Sequence, residues 1–226
     1  MAKAKYPKKQ TKIAIVLITK NEEQNIESMI GRIRNAGFSD LYVVDEHSED
    51  TTEKIARSKN VKVYQRKGKG FGCGIMSALD IANKKGYDYI VRLDCDGTYD
   101  PDDIKKLIEF CPEYDLISSY RGFRNIKTLH RYPNMFFTYL TNLLFLANVR
   151  DLNSGMKAIN VKKFKDILDA PGFDLEAQLS LRAIKRGYRM KNVKINFTER
   201  TKGRSNIKIS DGVLILKRII KERFMR

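Results

Sequence analysis

Apolar and polar residues follow two alternating patterns along the first half of the chain. Short apolar runs are typical of buried strands, and they are separated by stretches in which apolar residues recur with the helical period. The predicted strands are Lys12–Thr19, Leu41–Asp45, Val61–Gln65, Tyr89–Leu93 and Tyr114–Ser119. The predicted helices are Glu22–Ala36, Asp50–Lys59, Gly72–Lys85 and Pro101–Phe110. This alternation predicts an α/β fold with a mostly parallel, Rossmann-like sheet and helices on both faces.

The second half is less regular. An aromatic, apolar helix is predicted over Pro133–Val149, and its apolar surface is wider than one stripe, which is typical of a helix that is buried or faces a membrane. A helix over Phe173–Gly187 ends in a glycine cap, and a strand follows over Arg189–Phe197. The tail, Ile207–Arg226, is predicted to be a basic amphipathic helix. It either packs on the core with a solvated basic face or lies on a membrane.

Composition adds a strong basic charge to this picture. The 226 residues carry a formal net charge of +17, from 44 basic and 27 acidic side chains. Such an excess favours polyanionic partners, namely nucleic acid, anionic lipid headgroups or phosphorylated substrates. The sequence has no tryptophan and no recognisable nucleic-acid-binding motif. We therefore expect no nucleic-acid partner, and a basic nucleic-acid-binding protein is kept as the non-enzyme alternative.

These patterns divide the chain into three parts. Residues 1–11 are predicted to be a disordered basic arm, residues 12–206 one α/β domain, and residues 207–226 the C-terminal helix. The start of the chain lacks the apolar region of a secretory signal, and the three cysteines lack metal-ligand spacing and are typical of reduced thiols. We therefore expect a cytoplasmic protein that is either soluble or peripheral at the cytoplasmic face of a membrane.

The clearest candidate chemistry lies at the end of the fourth predicted strand, in Arg92-Leu93-Asp94-Cys95-Asp96-Gly97. Carboxylates at alternate positions of an extended segment point the same way, so Asp94 and Asp96 can face one ligand. Protein sites for Mg²⁺ use one or two carboxylates and leave the other positions to water and substrate phosphate. Ligands of parallel α/β sheets bind at the carboxyl ends of the strands. The motif therefore predicts a site for a divalent cation and a diphosphate.

Six motifs occur in an order that resembles the family 2 inverting glycosyltransferases with the GT-A fold. They are most similar to dolichyl-phosphate or polyprenyl-phosphate mannose (hexose) synthases, and the resemblance covers Ile13–Ser205. The motifs are Ile18-Thr19-Lys20-Asn21-Glu22-Glu23, the acidic segment Val43–Thr52, the glycine-rich segment after Arg66, Asp94-x-Asp96, Ser154-Gly155 and Arg200-x-x-Gly203-x-Ser205. The resemblance implies that residues 12–206 form a GT-A glycosyltransferase domain.

The resemblance also implies a donor site for a nucleotide sugar, a GDP- or UDP-linked mannose or glucose. The residues implied for nucleotide binding are Thr19, Asn21, Glu22, Asp45, Glu46, Lys69 and Asp94. Mg²⁺ or Mn²⁺ is implied at Asp96, with Asp94 and Thr98. The chain departs from the family in carrying Glu46 where an aspartate is usual, and Thr98 where an amide is usual.

For the acceptor, the resemblance implies a lipid-linked phosphate at a membrane surface. A phosphate acceptor is already anionic, so it needs cations to position it rather than a general base. The residues implied for the acceptor are Arg121, Arg131, Ser154, Arg200 and Ser205, and those implied for catalysis are Asp94, Asp96, Arg121 and Arg200. Asn206 replaces the lysine that usually follows the Ser205 position.

Two further enzyme classes are alternatives. A soluble or glycan alcohol acceptor needs a general base near neutral pH, and Glu176 and Asp174 are the candidates for it. A sugar nucleotidyltransferase needs a glycine-rich loop with a reactive lysine or arginine directly after the first strand. That place holds Thr19-Lys20-Asn21-Glu22, which disfavours this class.

Overall fold

The computed structural model describes residues 11–122, 128–198 and 209–225. Its strands are β1 (Ile13–Thr19), β2 (Leu41–Asp45), β3 (Lys62–Gln65), β4 (Tyr89–Asp94), β5 (Leu116–Tyr120), β6 (Lys157–Asn160) and β7 (Met190–Lys194). Its helices are α1 (Ile26–Asn35), α2 (Thr52–Ser58), α3 (Phe71–Lys84), α4 (Ile104–Ile108), α5 (Thr128–Phe145), α6 (Val161–Phe164), α7 (Leu175–Lys185) and α8 (Ile209–Phe224). A 3-10 turn, Pro101–Asp103, leads into α4.

The strands form one seven-stranded sheet in the order β3-β2-β1-β4-β6-β5-β7. Only β6 among these strands runs against its neighbours, since it pairs antiparallel with both β4 and β5. The carboxyl ends of the other strands therefore meet at one edge of the sheet, and β6 begins at that edge. This topology confirms the predicted α/β fold with a mostly parallel sheet.

Successive residues of each strand face opposite sides of the sheet. In β1, Ile15 and Leu17 pack with α1, α2 and α4, whereas Val16 and Ile18 pack with α3, α6 and α7. A third buried cluster joins α5, α7 and α8 beside the sheet, with Phe137 and Ile219 among its members. The C-terminal helix is therefore packed on the rest of the protein through one of its faces.

Several predicted boundaries are wrong, and tertiary contacts explain the largest shifts. α1 begins at Ile26 rather than Glu22, because the Glu22 amide donates a hydrogen bond to Thr52 Oγ1 and the chain turns before the helix starts. α5 runs over Thr128–Phe145 with Pro133 inside it, whereas the prediction placed its limits at Pro133 and Val149. It stops early because the Asn142 side-chain amide binds both the N–H and the C=O of Val149.

Smaller differences concern the last elements. β7 ends at Lys194, and Phe197, predicted to lie in the same strand, pairs separately with Tyr99 in an isolated bridge. α7 begins at Leu175 rather than Phe173. Within the described residues, every helix is too short or too polar to cross a lipid bilayer. Residues 1–10 of the predicted basic arm lie outside the described residues.

Candidate functional site

The predicted metal carboxylates lie together at the carboxyl edge of the sheet. Asp94 ends β4, and about a third of its side-chain surface (33%) is exposed. Asp96 is half-buried two residues later, and its Oδ1 accepts hydrogen bonds from the Thr98 amide (3.1 Å) and from Thr98 Oγ1 (2.7 Å). Loss of water raises the pKa of Asp94 to about 6, with Asp96 adding to the rise and Arg92 opposing it. Two carboxylates share this edge, and one of them carries an unfavourable negative charge that a cation would neutralise.

A line of alternating charges runs from Asp94 into the protein interior. Arg92 NH2 lies 3.1 Å from Asp94 Oδ1, and Arg92 NH1 lies 2.8 Å from Glu176 Oε1. Lys157 Nζ lies 2.5 Å from the other Glu176 oxygen and also donates to the Ser154 carbonyl. Arg92 and Lys157 are at most 1% exposed. Because isolated buried charges are very unfavourable, each member of this line holds its neighbour in place.

Gly155 makes room for Asp94. A Cβ at Gly155 would lie 2.2 Å from Asp94 Oδ2 and 2.9 Å from both Arg92 NH2 and Tyr99 Oη. The Gly155 amide donates a 2.6 Å hydrogen bond to Tyr99 Oη, and its carbonyl accepts from Arg92 Nε at 3.0 Å. The Ser154-Gly155 turn before β6 therefore forms one wall of the space that the Asp94 carboxylate occupies.

Arg121, directly after β5, is held on the same edge. Its Nε and NH2 donate to Asp151 Oδ2 (2.7 Å) and Oδ1 (3.0 Å), which is a two-pronged ion pair. Asn134 of α5 donates to the same carboxylate, and the Arg121 guanidinium lies over the Phe197 ring. Asp151 is 1% exposed. Arg121 is therefore a fixed cation close to Asp94, whose carboxyl pKa it helps to lower.

The loops after β1 and β2, where nucleotide contacts are predicted, are tied to each other. Asp45 is fully buried, and its carboxylate accepts from Thr19 Oγ1 (3.0 Å), Ser48 Oγ (2.6 Å) and the Ser48 amide (2.7 Å). Asn21 is exposed with a left-handed backbone (φ 54°), and its side chain accepts from the Glu49 amide. The buried side chains of Thr19 and Asp45 thus hold the two loops in place, and Asn21 lies on the exposed surface of these loops.

Glu46 turns inward. It forms an ion pair with Arg66, and both side chains are only 9% exposed. Burial raises the pKa of the Glu46 carboxyl, and Arg66 opposes the rise. A Cβ at Gly74 would lie 2.9 Å from Ile18 Cγ2 and 3.2 Å from Glu46 Oε1, so the missing side chain lets the start of α3 approach β1 and this carboxylate closely. Within the glycine-rich segment, Gly74 therefore permits close packing of α3, and Lys69 lies exposed at its tip.

The remaining predicted residues lie in three different environments. The Ser154 hydroxyl is fully buried and pairs with Ser119 Oγ at 2.6 Å, beneath the surface of the site. Glu22 is buried in the turn before α1, where its carboxylate accepts a hydrogen bond from the Asn25 side chain. Arg131 is half-buried in the first part of α5. The predicted residues Arg200 and Ser205 lie outside the described residues.

Glu176 and Asp174, the two carboxylates predicted as candidate general bases, both form ion pairs. Arg92 and Lys157 each hold one oxygen of Glu176, and these cations outweigh the effect of burial and lower the pKa of its carboxyl. Asp174 Oδ2 accepts from Arg218 Nε of α8 at 2.8 Å. The lowered pKa makes the Glu176 carboxylate a weak proton acceptor, so this arrangement does not suit it to general-base catalysis, and the Asp174 carboxylate is already engaged by Arg218.

The donor atoms present fit a divalent cation of the Mg²⁺ type. The described residues contain no cluster of three or more acidic, histidine or cysteine side chains suited to a metal. Asp94 and Asp96 nevertheless offer carboxylate oxygens at one partly exposed edge, and Thr98 adds a hydroxyl beside Asp96. Such a set suits a hard cation that takes its other ligands from a substrate diphosphate and from water.

The sequence analysis gave no role to Arg92, Tyr99, Asp151 or Lys157. The available signal was a charge inside a predicted strand: Arg92 interrupts an apolar run, and Lys157 begins the short strand after Ser154-Gly155. A charge in such a position needs a buried partner of opposite sign. The partners are distant in the sequence, so this signal alone does not identify them.

Comparison with known proteins agrees with the family that the sequence motifs resemble. Residues 14–168 match the family described as glycosyl transferase family 2. A dolichyl-phosphate hexose transferase of Haloferax volcanii is 30% identical over 215 residues, which covers 92% of each chain. An undecaprenyl-phosphate mannosyltransferase of Micrococcus luteus is 26% identical over 219 residues and covers 90% of this chain and 89% of its own.

Among solved structures, glucosyl-3-phosphoglycerate synthase of Mycobacterium tuberculosis has a similar fold. Its complex with Mn²⁺, uridine diphosphate and phosphoglyceric acid aligns with a TM-score of 0.78 at 19% identity, and covers 96% of this chain and 80% of its own. A complex of the same enzyme with Mg²⁺ and uridine diphosphate aligns with a TM-score of 0.76. At this level of identity the likeness concerns the fold.

Proposed function

Because the chain belongs to glycosyl transferase family 2, we propose that it moves a hexose from a nucleotide sugar to a polyprenyl or dolichyl phosphate. It is a glycosyltransferase with the GT-A fold. The two relatives described above are named for hexose or mannose transfer to a lipid phosphate, and each is matched along about nine-tenths of its length. These names support a lipid-linked phosphate as the acceptor and a hexose as the transferred group. We propose GDP- or UDP-linked mannose or glucose as its donor.

The observation that carries the choice of acceptor is the engagement of Glu176 and Asp174. An alcohol needs a base to remove its proton, whereas a phosphate monoester attacks as an anion. Both predicted bases are paired with cations, and Arg121, held in place by its ion pair with Asp151, lies near Asp94. The arrangement supports an anionic acceptor, and the family resemblance assigns its positioning to Arg121 together with Arg131, Arg200 and Ser205.

On the donor side, Asp96 and Asp94 would hold Mg²⁺ or Mn²⁺, with Thr98 beside them. When bound, the cation neutralises the charge that develops on the leaving nucleoside diphosphate. Arg92 fixes the Asp94 carboxylate against the Gly155 backbone, so that it is oriented before the donor arrives. The loops that carry Asn21 and Lys69 flank the place of the nucleotide. The acceptor phosphate would attack the sugar carbon from the side opposite the leaving group. This single displacement inverts the configuration at that carbon.

The test uses the purified full chain with Mn²⁺, a polyprenyl phosphate, and either GDP-mannose or UDP-glucose. We expect a hexosyl phosphate lipid, detected by mass spectrometry of the lipid extract, with at least one donor. Asp96→Asn should lower the rate by about a hundredfold or more, because it removes a ligand oxygen that acts on the leaving group. Asp102→Asn is the matched control, since Asp102 lies in the 3-10 turn that follows this loop and 68% of its side chain is exposed. Transfer to no polyprenyl phosphate from either donor would overturn the proposal.

A further inference from the structure

Phe197 lies just after β7 and is joined to the loop that follows Asp96. Its backbone forms an isolated antiparallel bridge with Tyr99. The next residue, Thr198, donates its amide hydrogen to the Thr98 carbonyl oxygen at 3.1 Å. Two neighbouring residues are therefore attached to the part of the loop in which Thr98 binds the Asp96 carboxylate.

The two residues that directly follow β7 hold this segment at its other end. The Ile195 amide donates to the Tyr120 carbonyl oxygen at 3.2 Å, and Ile195 is buried. The Asn196 amide donates to Asp103 Oδ2 at 2.6 Å. Tyr120 is the last residue of β5. The segment therefore connects the end of β5, after which Arg121 lies, with the loop that follows the metal carboxylates.

The Phe197 ring lies between two side chains of the candidate site. It meets the Tyr99 ring edge to face, with the two ring centroids 5.4 Å apart. The guanidinium carbon of Arg121 lies over the Phe197 ring, 5.1 Å from its centroid. Tyr99 is buried, and its hydroxyl oxygen accepts the hydrogen bond from the Gly155 amide. Phe197 therefore rests on a fixed ring and presents its own face to the cation.

Two contacts of different kinds hold the Arg121 guanidinium. Asp151 accepts hydrogen bonds from Nε and NH2, and the face of the Phe197 ring attracts the same cation. An arginine has further N–H donors, and these can meet a phosphate while the ion pair stays intact. The ion pair orients the planar group, and the ring limits its tilt.

We propose that Phe197 is a positioning residue for the acceptor phosphate and that it acts through Arg121. This inference rests on the proposed function, because it names a residue that sets where the acceptor cation lies. The backbone of Phe197 is joined to Tyr99, so the guanidinium is held in a fixed relation to the metal carboxylates. The attacking phosphate and the leaving diphosphate would then be held by one connected part of the protein, which favours their alignment.

The first experiment compares two substitutions of Phe197. Phe197→Leu keeps an apolar side chain but removes the ring, and Phe197→Tyr keeps the ring. Initial rates are measured with the full chain, Mn²⁺, the donor that supports transfer and a short-chain, water-soluble polyprenyl phosphate. Phe197→Leu should raise the KM for this acceptor by about threefold to thirtyfold, the range of a cation–π contact. The KM for the donor should stay within about twofold, and Phe197→Tyr should restore the acceptor KM of the wild type.

Phe110→Leu is the matched control, because Phe110 makes the same two kinds of contact elsewhere. Its ring lies edge to face against Tyr114, and Lys191 Nζ lies 4.7 Å from its centroid. Lys191 pairs with Ile117 near the start of β5, at the edge of the sheet opposite the site. Phe110→Leu should lower the melting temperature, as Phe197→Leu does, and leave both KM values unchanged. A rise in acceptor KM in both leucine variants would reveal a general effect of stability and would overturn the proposal.

A double variant tests whether Phe197 acts through Arg121. Arg121→Lys keeps the positive charge but replaces the planar group with a flexible point charge, so it should itself raise the acceptor KM. If the ring serves to orient the planar group, adding Phe197→Leu should raise the KM by no more than about twofold further. Independent, multiplicative effects of the two substitutions would overturn the proposal.

Binding without turnover separates this proposal from the proposed function. Isothermal titration calorimetry gives the Kd of the same short-chain phosphate without donor, and Phe197→Leu should raise it about threefold or more. If the wild type transfers sugar and Phe197→Leu leaves the acceptor Kd and KM unchanged, the positioning role is overturned and the proposed function stands. If the Kd changes as expected but the wild type transfers no sugar to any polyprenyl phosphate, the proposed function fails and the positioning role stands. A wild type that neither binds this phosphate nor transfers sugar to it would overturn both.

Discussion

At the level of single residues, Gly155 matters because it has no side chain and so leaves space for the Asp94 carboxylate. The Asp94 carboxylate, the Arg92 guanidinium and the Tyr99 hydroxyl all approach within 3 Å of the point where a Cβ would stand. Gly155→Ala should displace Asp94 and destabilise the fold by about 1–3 kcal/mol, which is usual for overpacking a tight site. Thermal shift measured with nucleotide and Mn²⁺ should show at least a tenfold weaker metal-dependent binding.

A matched control for this substitution is Gly31→Ala in α1. The described residues leave the space around Gly31 open to 4 Å, and its backbone is helical. The added methyl group should stabilise the protein by up to about 1 kcal/mol through helix propensity and leave donor binding unchanged. Equal losses of binding in the two variants would show that Gly155 has no special relation to the metal site.

The charge of Glu176 gives a second prediction for a single residue. Glu176→Gln leaves Arg92 and Lys157 buried without a full counter-charge, so we expect a loss of about 3–5 kcal/mol in the free energy of unfolding. The double variant Glu176→Gln with Lys157→Met removes one charge of each sign and should recover a large part of that stability, as measured by chemical denaturation. If Glu176 were a general base, Glu176→Gln would in addition abolish turnover at temperatures at which the variant is still folded.

At the scale of elements, α8 is fastened to α7 by ion pairs. Asp169, in the loop before α7, accepts hydrogen bonds from Gln178 and from Arg218 of α8, and it lies 2.7 Å from Arg182. Glu222 of α8 pairs in turn with Arg182. These contacts, together with Ile219 in the third buried cluster, explain why the basic tail packs on the protein through one face and keeps its other face free.

The Asp169 pairs predict how stability changes in acid. Burial alone would raise the pKa of this carboxyl, but hydrogen bonds from Gln178 and Arg182 outweigh it and lower the pKa from 3.8 to about 2. The contribution is therefore present above pH 3.8 and is lost as the pH falls towards 2. Because 53% of the side chain is exposed, solvent screening reduces it to about 1 kcal/mol.

Acid unfolding followed by circular dichroism checks this expectation. Asp169→Asn should lower stability at neutral pH and flatten its pH dependence between about 4 and 2. Asp166→Asn is the control, since Asp166 pairs with its neighbour Lys165 and 72% of its side chain is exposed. If the stability of Asp169→Asn and that of the wild type depended on pH in the same way, the ion pairs of Asp169 would not contribute to stability as expected.

The local pattern of apolar residues predicted the presence of the helices and strands better than the residues at which they begin and end. The apolar period located β1 and α3 to within about a residue, since their own side chains supply the burial. The ends of α5 depend instead on the bond from Asn142 to Val149 and on a proline accommodated inside the helix, and local sequence signals favour Pro133 as a first helical residue. Contacts between residues that are distant in the sequence determine where helices and strands end. The local period of apolar residues does not predict these contacts.

At the scale of the whole molecule, the position of the candidate site followed from the alternation of strands and helices. Parallel strands bring Thr19, Asp45 and Asp94 to one edge, as their paired registers show. The insertion of antiparallel β6 between β4 and β5 was not predictable from local pattern, because strand order depends on long-range pairing. That insertion brings Lys157 and Gly155 beside β4, and so it builds the buried charge line that supports Asp94.

The most direct test of the account compares two acceptors that have the same polyprenyl tail, one ending in a phosphate and the other in a hydroxyl. Each is incubated with the full chain, Mn²⁺ and the donor that supports transfer, and the lipid products are weighed by mass spectrometry. We expect a hexosylated product from the phosphate alone, because Glu176 and Asp174 are held by cations and an alcohol would keep its proton. Comparable transfer to the alcohol would contradict the central claim that this site is built for an anionic acceptor.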